Sequence, residues 1–229
     1  MYVREGEIVG LAGLMGAGRT ELALSLFGNT PGYQITSGEL VMDGKQVRFQ
    51  SSSDAIDAGV AYATEDRKHN GLVLIQDIRF NTTFANLKSL VKNHVIRENE
   101  EIVQAEKLKQ DLGIKAPSIQ QKTVNLSGGN QQKVVLAKWI FANPKLLILD
   151  EPTRGIDVGA KYEIYSLMNE MVKRGMSIIM ISSELLEILG MSDRVYVMCE
   201  GRLTGELPIE QATEQSIMRL ATNTEESVL

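Results

Sequence analysis

Three segments of the chain combine residue types and spacings that could handle a phosphate group. The first, Gly13–Thr20, reads GLMGAGRT and connects an apolar run to a helical stretch from Thr20 to Phe27. Glycines allow backbone amides to turn inward around a phosphate, and the N-terminus of the following helix adds its positive dipole end. The spacing matches the phosphate-binding loop G-x-x-x-x-G-K-[ST], except that Arg19 replaces the lysine. Thr20 would place its hydroxyl on Mg²⁺.

The residues of this loop have two other interpretations. A dinucleotide fingerprint needs a third glycine three residues after Gly18, but Glu21 stands there, which excludes it. A glycine-rich turn without a ligand is the alternative for this segment taken alone. The predicted nucleotide-binding residues are Gly13, Gly16, Ala17, Gly18, Arg19, Thr20 and Glu21.

The second segment ends in two adjacent carboxylates. It runs from Lys145 to Glu151 and reads KLLILDE, so four apolar residues precede the acids. This pattern predicts a buried strand that delivers Asp150 and Glu151 to the carboxyl edge of a sheet, where open α/β folds bind ligands. Asp150 would then lie in the Mg²⁺ shell, and Glu151 would polarise a water molecule against a γ-phosphate. A strand end with solvated acids is the alternative.

The third segment, Leu126–Lys133, reads LSGGNQQK and precedes a helix with apolar periodicity. Ser127 is a typical N-cap residue, and Gly128 and Gly129 would leave the first amides of the helix uncovered. Such a helix tip can hold an anion. By its chemistry alone, a plain helix cap explains the segment equally well.

These segments need a sheet to position them, and the order of predicted elements indicates an α/β fold with a mainly parallel sheet. Several predicted strands are nearly continuous apolar runs, as expected for strands buried on both faces. The predicted strands are Glu7–Ala12, Val60–Thr64, Leu146–Asp150, Ser177–Ser182 and Arg194–Cys199.

Other segments depart from this alternation. Gly38–Val47 contains an Asp43-Gly44 step, which is typical of a hairpin turn and predicts a small antiparallel piece. Arg202–Leu207 is a second antiparallel candidate. Arg79–Lys122 is helical in its period and rich in Lys, Glu and Gln, so we predict a helical insertion without a strand. Thr213–Ala221 predicts a short amphipathic helix.

Composition excludes several classes of protein. The 229 residues include 24 basic and 29 acidic side chains, and the net charge of −5 argues against a dedicated nucleic-acid binder. The single cysteine, Cys199, cannot form an internal disulfide, which favours a reducing compartment. When glycine is not counted as apolar, the longest apolar run is Val195–Cys199, which is far shorter than the ~20 residues of a membrane span. Charges and glycines begin at Arg4, so we predict no signal peptide and a soluble protein of the cytoplasm.

Together the segments resemble the nucleotide-binding domain of ATP-binding cassette (ABC) proteins. The finer resemblance is to the second ATPase cassette of bacterial monosaccharide importers of the galactose, ribose and xylose type, and it spans about Gly6 to Ala221. Those cassettes carry GAGRTE, a PEDR-like segment, LSGGNQQK, DEPTRGID-GAK and ISSE. The matching segments here are Gly16–Glu21, Thr64–Arg67, Leu126–Lys133, Asp150–Lys161 and Ile181–Glu184.

The resemblance implies an ABC-type P-loop NTPase core with a mainly parallel sheet, a small antiparallel β piece and a helical subdomain. We expect residues 1–229 to form a single, N-terminally truncated nucleotide-binding domain, with residues 79–143 as the helical subdomain. The implied activity is ATP hydrolysis with Mg²⁺, coupled to import of a monosaccharide.

The resemblance also implies partners. Two such cassettes meet head to tail, so ATP lies between the phosphate loop of one and the LSGG segment of the other. The second cassette would belong to the same longer chain or to a second copy, and membrane permease subunits would contact Asp77–Asn86. A periplasmic sugar-binding protein would act indirectly, nucleic acid would not be a partner, and the protein would lie on the inner face of the bacterial cell membrane. The residues acting across the pair would be Ser127, Gly128, Gly129 and Asn130, with Asp157 in the family's D-loop.

Three positions depart from a fully competent cassette. Arg19 replaces the phosphate-loop lysine, Glu65 stands where first cassettes have a glutamine, and Ser183 stands where competent cassettes have a histidine. We therefore expect this site to bind MgATP and to turn it over slowly, with Ser127–Gly129 acting on the ATP of the other cassette. The alternatives are a degenerate, non-hydrolysing regulatory or structural module, and a soluble ABC ATPase without a transport role.

Overall fold

The computed structural model describes residues 1–28, 32 and 34–222. The chain divides into two compact units. The sheet unit comprises Met1–Tyr62, Lys145–Glu151 and Val172–Leu229, and the helical unit comprises Ala63–Pro144 and Pro152–Met171. The segment 79–143 lies inside the helical unit, and its boundaries as a subdomain stay a prediction.

The described residues contain strands and helices in alternation, with short 3₁₀ or π-helical turns at 67–71, 84–90, 123–125 and 209–211. The strands are β1 (Ile8–Gly13), β2 (Leu40–Met42), β3 (Lys45–Val47), β4 (Val60–Ala63), β5 (Val91–Lys92), β6 (Val95–Ile96), β7 (Leu146–Asp150), β8 (Ser177–Ile181), β9 (Arg194–Cys199) and β10 (Arg202–Pro208). The helices are α1 (Arg19–Leu26), α2 (Ser52–Asp57), α3 (Ile78–Thr83), α4 (Glu98–Asp111), α5 (Gly128–Ala142), α6 (Val158–Lys173), α7 (Leu185–Met191) and α8 (Glu214–Ala221).

The main sheet has six strands in the order β10-β9-β1-β8-β7-β4. Strand β1 pairs in parallel with β8 and β9, β7 pairs in parallel with β8, and β10 adds an antiparallel edge to β9. The centres of the parallel strands are buried, since Val9, Ile148 and Ile178 each expose no side-chain surface. The predicted α/β class with a mainly parallel sheet is confirmed.

Strand β10 and helix α8 both pack against β9, near one edge of the main sheet. The predicted amphipathic helix is confirmed, because Ile217 and Ala221 of α8 pack in one cluster with Val195 and Val197 of β9. The antiparallel pairing of Arg202–Pro208 with β9 confirms the prediction of a second antiparallel piece at Arg202–Leu207. Parallel strands therefore form the centre of the sheet, and β10 adds an antiparallel strand at one edge.

Among the described residues, two tight hairpins form small sheets of their own, and only one of them was predicted. Asp43 and Gly44, with φ of 50° and 73°, form the turn between β2 and β3, as the Asp-Gly step indicates. Asn93 and His94 also have positive φ and connect β5 to β6 inside the segment predicted to be helical without a strand. That prediction was wrong for residues 91–96. Strands of two residues have no measurable period, so the apolar pattern could not indicate this hairpin.

Helix α5 lies at the centre of the helical unit. It is buried almost all round, with Val134, Val135, Leu136 and Ala137 fully inaccessible to solvent. Four consecutive residues cover every side of a helix, so this helix is enclosed within the unit. Among the described residues, no helix is both long and apolar enough to cross a membrane.

Lys138, on α5, is expected to make stability depend on pH. Its Nζ donates to the carbonyl oxygen of Gly71 at 2.7 Å, and burial lowers the pKa of this amine to about 8. Between that value and its unfolded value near 10.5, the unfolded chain binds the extra proton, so the free energy of unfolding should rise with pH. Relative to Lys138→Met, the wild-type value should increase by roughly 3 kcal/mol from pH 7.5 to 10.5.

Urea unfolding of both proteins at several pH values measures this difference. Because all other groups titrate in both proteins, subtracting the two curves isolates Lys138. Parallel curves would show that the amine keeps its ordinary pKa in the folded chain.

Candidate functional site

The phosphate loop predicted from the glycines has the geometry of a tight turn before a helix. It connects β1 to α1, and Gly16 and Gly18 adopt left-handed φ of 81° and 91°. Gly13 is needed for a different reason: a Cβ there would lie 2.5 Å from the backbone oxygen of Met198. Ala17 is buried, and its amide donates to the carbonyl of Leu14 at 3.0 Å. The loop therefore curls in front of the first amides of α1.

Arg19, the residue in place of the usual lysine, is buried at the start of α1. Its side chain is only 9% exposed, and its Nη1 donates to the carbonyl oxygen of Ser182 at 2.7 Å. The guanidinium is thus anchored on the segment that follows β8. The next two residues lie in the first turn of α1, where Glu21 is exposed and the hydroxyl of Thr20 donates to Oδ2 of Asp150 at 2.8 Å.

The two carboxylate oxygens of Asp150 differ in the hydrogen bonds that they accept. The residue is 1% exposed, and its Oδ2 accepts a second hydrogen bond from the Tyr62 hydroxyl at 2.8 Å. Its Oδ1 is buried and has no hydrogen-bond partner among the described residues. Burial raises the pKa of this carboxyl, while the bonds from Tyr62 and Thr20 oppose that change. A bare carboxylate oxygen beside a hydroxyl is a donor set that suits Mg²⁺, so these residues fit the metal.

Sequence reasoning missed Tyr62. It is a buried residue of β4, the strand next to β7 in the sheet, and its ring also lies 5.7 Å from that of Phe27. The signal available in the sequence was a single hydroxyl in the apolar run VAYA. Its partner became evident only when the strand order placed β4 beside the strand that carries Asp150.

Glu151 follows β7 in a conformation uncommon for a residue with a side chain. Its φ is 49°, and its amide donates to the carbonyl of Ile181 at 2.9 Å. The hydroxyl of Ser183 donates to Oε2 of Glu151 at 3.2 Å. Burial raises the pKa of this carboxyl, and the hydrogen bond from Ser183 acts against that rise. A half-buried carboxylate with a raised pKa is a stronger proton acceptor than one in water.

The helical unit carries the second group of predicted residues, at the tip of α5. Ser127 is the N-cap, and its Oγ accepts from the backbone amide and the side-chain Nδ2 of Asn130 at 3.4 and 2.9 Å. Asn130 Oδ1 in turn accepts from the amide of Lys115 at 2.7 Å. Gly129 has no room for a side chain, because a Cβ would lie 2.6 Å from Cβ of Ala160. The first amides of α5 have no acceptor within the helix, so this tip can bind an anion.

Glu65 and Asp157 have local partners in the helical unit. Glu65 forms an ion pair with the guanidinium of Arg154. Asp157 Oδ1 accepts from the amide of Ala160 at 3.0 Å and caps the start of α6. The structure thus brings Thr20, Asp150, Glu151 and Ser183 together in the sheet unit, and places Glu65, Ser127–Asn130 and Asp157 in the helical unit. Their roles stay predictions.

Several bacterial sugar-import proteins are similar in sequence to this chain over nearly all of its length. The L-arabinose transport ATP-binding protein AraG of Geobacillus stearothermophilus is 58% identical over 98% of the chain. The xylose import protein XylG of Thermoanaerobacter pseudethanolicus is 56% identical, and the ribose import protein RbsA of Oceanobacillus iheyensis is 51% identical, each over 96% of the chain. The matches cover 44%, 43% and 44% of these relatives, so the chain spans less than half of their length.

Solved structures share the fold at low sequence identity. A nucleotide-free ATP-binding cassette from an ABC transporter superposes with a TM-score of 0.78 at 20% identity, covering 97% of this chain and 87% of that one. A dimeric cassette in a post-hydrolysis state, bound to ADP and phosphate, has a TM-score of 0.75 at 17% identity, covering 91% of this chain and 88% of its own. The family model described as ABC transporter matches residues 1–154. The chain belongs to the ABC transporter family.

Proposed function

We propose that this chain is an ATP-binding cassette that couples the binding and hydrolysis of MgATP to the import of a monosaccharide. The observation that carries the proposal is the hydrogen bond from the Thr20 hydroxyl, next to the phosphate loop, to Asp150 Oδ2. The other oxygen, Oδ1, has no hydrogen-bond partner in the part of the chain that the structure describes. Import of a sugar is supported by relatives named for L-arabinose, xylose and ribose. These names differ in the sugar, so the proposal stops at the class.

The residues of the sheet unit divide the chemistry among them. The loop from Gly13 to Gly18 would surround the phosphates of ATP with backbone amides, and α1 would direct its positive end at them. Thr20 and Asp150 would hold Mg²⁺, which when bound neutralises charge on the phosphates. Glu151 would orient the attacking water and accept its proton, and the raised pKa of this carboxyl favours that role.

We infer that this site is the weaker of a pair. Arg19 uses part of its guanidinium on the Ser182 carbonyl, and its planar fork differs from the compact lysine ammonium. Ser183 cannot supply a positive charge, and its hydroxyl is directed at Glu151. The tip of α5, in contrast, keeps the complete LSGG segment. The main contribution of this cassette would then be to bring Ser127–Gly129 to ATP held by a second cassette.

The partners follow from this arrangement. The second cassette would lie in the same longer chain, which the length of the relatives supports, or in a second copy. Permease subunits would dock at Asp77–Asn86, and a periplasmic sugar-binding protein would act through the permease. The cassette would therefore work on the inner face of the cell membrane. No observation favours a non-hydrolysing module or an ABC ATPase without a transport role.

The proposal is tested with the full-length protein and its permease in lipid vesicles that enclose the sugar-binding protein. ATP hydrolysis should rise several-fold when the matching pentose or hexose is present, and sugar transport should stop without ATP or Mg²⁺. Hydrolysis that no sugar stimulates, with no transport, would show that the import function is wrong.

Glu151→Gln tests the inferred inequality of the two sites. The substitution keeps the size of the side chain and removes its ability to accept a proton. If this site contributes little to turnover, steady-state hydrolysis by the assembled transporter should keep at least about half of its rate. The same change at the corresponding position of the second cassette is the matched control and should abolish turnover. A loss of more than about tenfold for Glu151→Gln would show that both sites are catalytic.

A further inference from the structure

Arg67 has no role in the function proposed above, yet its guanidinium contacts two segments of the helical unit. It lies in the π-helical turn 67–71 after β4, and its Nη1 donates to the carbonyl oxygen of Arg154 at 2.9 Å. Its Nη2 lies against the backbone of Gly128: a Cβ built there would be 2.8 Å from this nitrogen and 3.2 Å from the carbonyl oxygen of Gly155. Arg67 thus fills the space beside the first residue of α5.

An ion pair extends this contact to position 65. The side chain of Arg154 pairs with Glu65, while its backbone carbonyl accepts from Arg67. Three pieces of chain are therefore connected through two arginines: the segment after β4, the turn at 154–155, and the tip of α5 at Gly128.

The surroundings of Arg67 disfavour its positive charge. Burial lowers the pKa of the guanidinium, although Asp66 opposes the change. Its Nε is buried without a hydrogen-bond partner among the described residues. The N-terminus of α5 carries a partial positive charge, which disfavours a neighbouring cation. A buried donor left unpaired destabilises the folded state, so an apolar residue would serve stability at least as well.

We propose that Arg67 is a positioning residue for the tip of α5. By filling the space between the Arg154 carbonyl and Gly128, it holds Ser127 and Gly128 in the orientation that meets the phosphate of a second cassette. This inference rests on the proposed function, in which that tip completes the second cassette's ATP site. Glu65 supports the same arrangement by holding Arg154.

The test compares Arg67→Met with Lys68→Met in the full-length protein assembled with its permease. Both changes remove one positive charge, but Lys68 is exposed. Arg67→Met should lower kcat for ATP hydrolysis by about tenfold or more and change KM by less than about twofold, since the α5 tip that Arg67 positions would meet the phosphate only when the cassettes close on ATP. Lys68→Met should leave both constants within about twofold of wild type.

Arg67→Lys separates position from charge. An ammonium cannot span the Arg154 carbonyl and Gly128 as the planar guanidinium does, so lysine should restore less than about a third of the lost kcat. Full activity with lysine, equal kcat for Arg67→Met and Lys68→Met, or a rise in KM alone would each overturn the positioning role. If Arg67→Met does not fold, the lysine variant decides. Failure of the proposed function would be seen in a different variant. If the α5 tip does not complete the second cassette's ATP site, Ser127→Asp would leave turnover unchanged, whatever the effect of Arg67→Met.

Discussion

Replacing Ser127 by aspartate is expected to lower ATP turnover of the assembled transporter by at least about 100-fold. Ser127 is the exposed N-cap of α5, at the end of the helix proposed to meet the γ-phosphate of the second cassette. A carboxylate there would face a phosphate of the same sign. Two such charges ~4 Å apart repel by about 4 kcal/mol at the effective dielectric constant of a protein surface.

Asparagine at the same position is the matched control. Aspartate and asparagine cap helices about equally well, so the two variants should unfold at similar temperatures. Ser127→Asn carries no charge and should keep turnover within about tenfold of wild type. The measurement is steady-state phosphate release by both variants in vesicles. Equal losses for aspartate and asparagine would mean that packing, and not charge, determines the effect.

Asp150→Asn is expected to separate metal binding from stability. The amide oxygen of asparagine can accept the hydrogen bonds from Thr20 and Tyr62, so the local structure should persist. Its nitrogen would then occupy the position of the bare Oδ1 and cannot ligate Mg²⁺. The dissociation constant for ATP should rise about 100-fold in the presence of Mg²⁺ and less than about threefold in EDTA.

The free energy of unfolding should not fall, because the variant removes a charge that burial disfavours, as the raised pKa of Asp150 shows. Isothermal titration and urea unfolding measure the two quantities. Asp111→Asn, which alters an exposed carboxylate at the end of α4, controls for the change in net charge. Equal weakening of ATP binding with and without Mg²⁺ would contradict the assignment of Asp150 to the metal.

Ser127 and Asp150 are marked in the sequence by different patterns. Ser127 was identified from a short segment whose cap, glycines and helix follow one another in the chain. Asp150 was identified from an apolar run that ends in two acids. In both cases the structure places the residue where the local pattern indicates, at a helix N-cap and at the carboxyl end of a parallel strand.

The amino-acid sequence by itself determined the main parallel strands of this protein and the site residues at their ends. Glycine spacing predicted the loop before α1, continuous apolar runs predicted the parallel strands, and Asp43-Gly44 predicted the first hairpin. These features could be predicted because each depends on backbone conformation and burial within a few neighbouring residues. The hairpin at residues 91–96 was missed because its strands of two residues are too short to show such a local pattern.

Only the tertiary structure decided which distant residues contact the predicted site residues through hydrogen bonds and packing. Tyr62 meets Asp150 because β4 lies beside β7, and Arg19 meets the Ser182 carbonyl because β1 lies beside β8. Arg67 meets Gly128, which is also far from it in the chain. Such contacts depend on strand order, register and the packing of helices, and many residues of the right type could have made them. A hydrogen bond between residues far apart in the chain therefore leaves no periodic signal in the sequence.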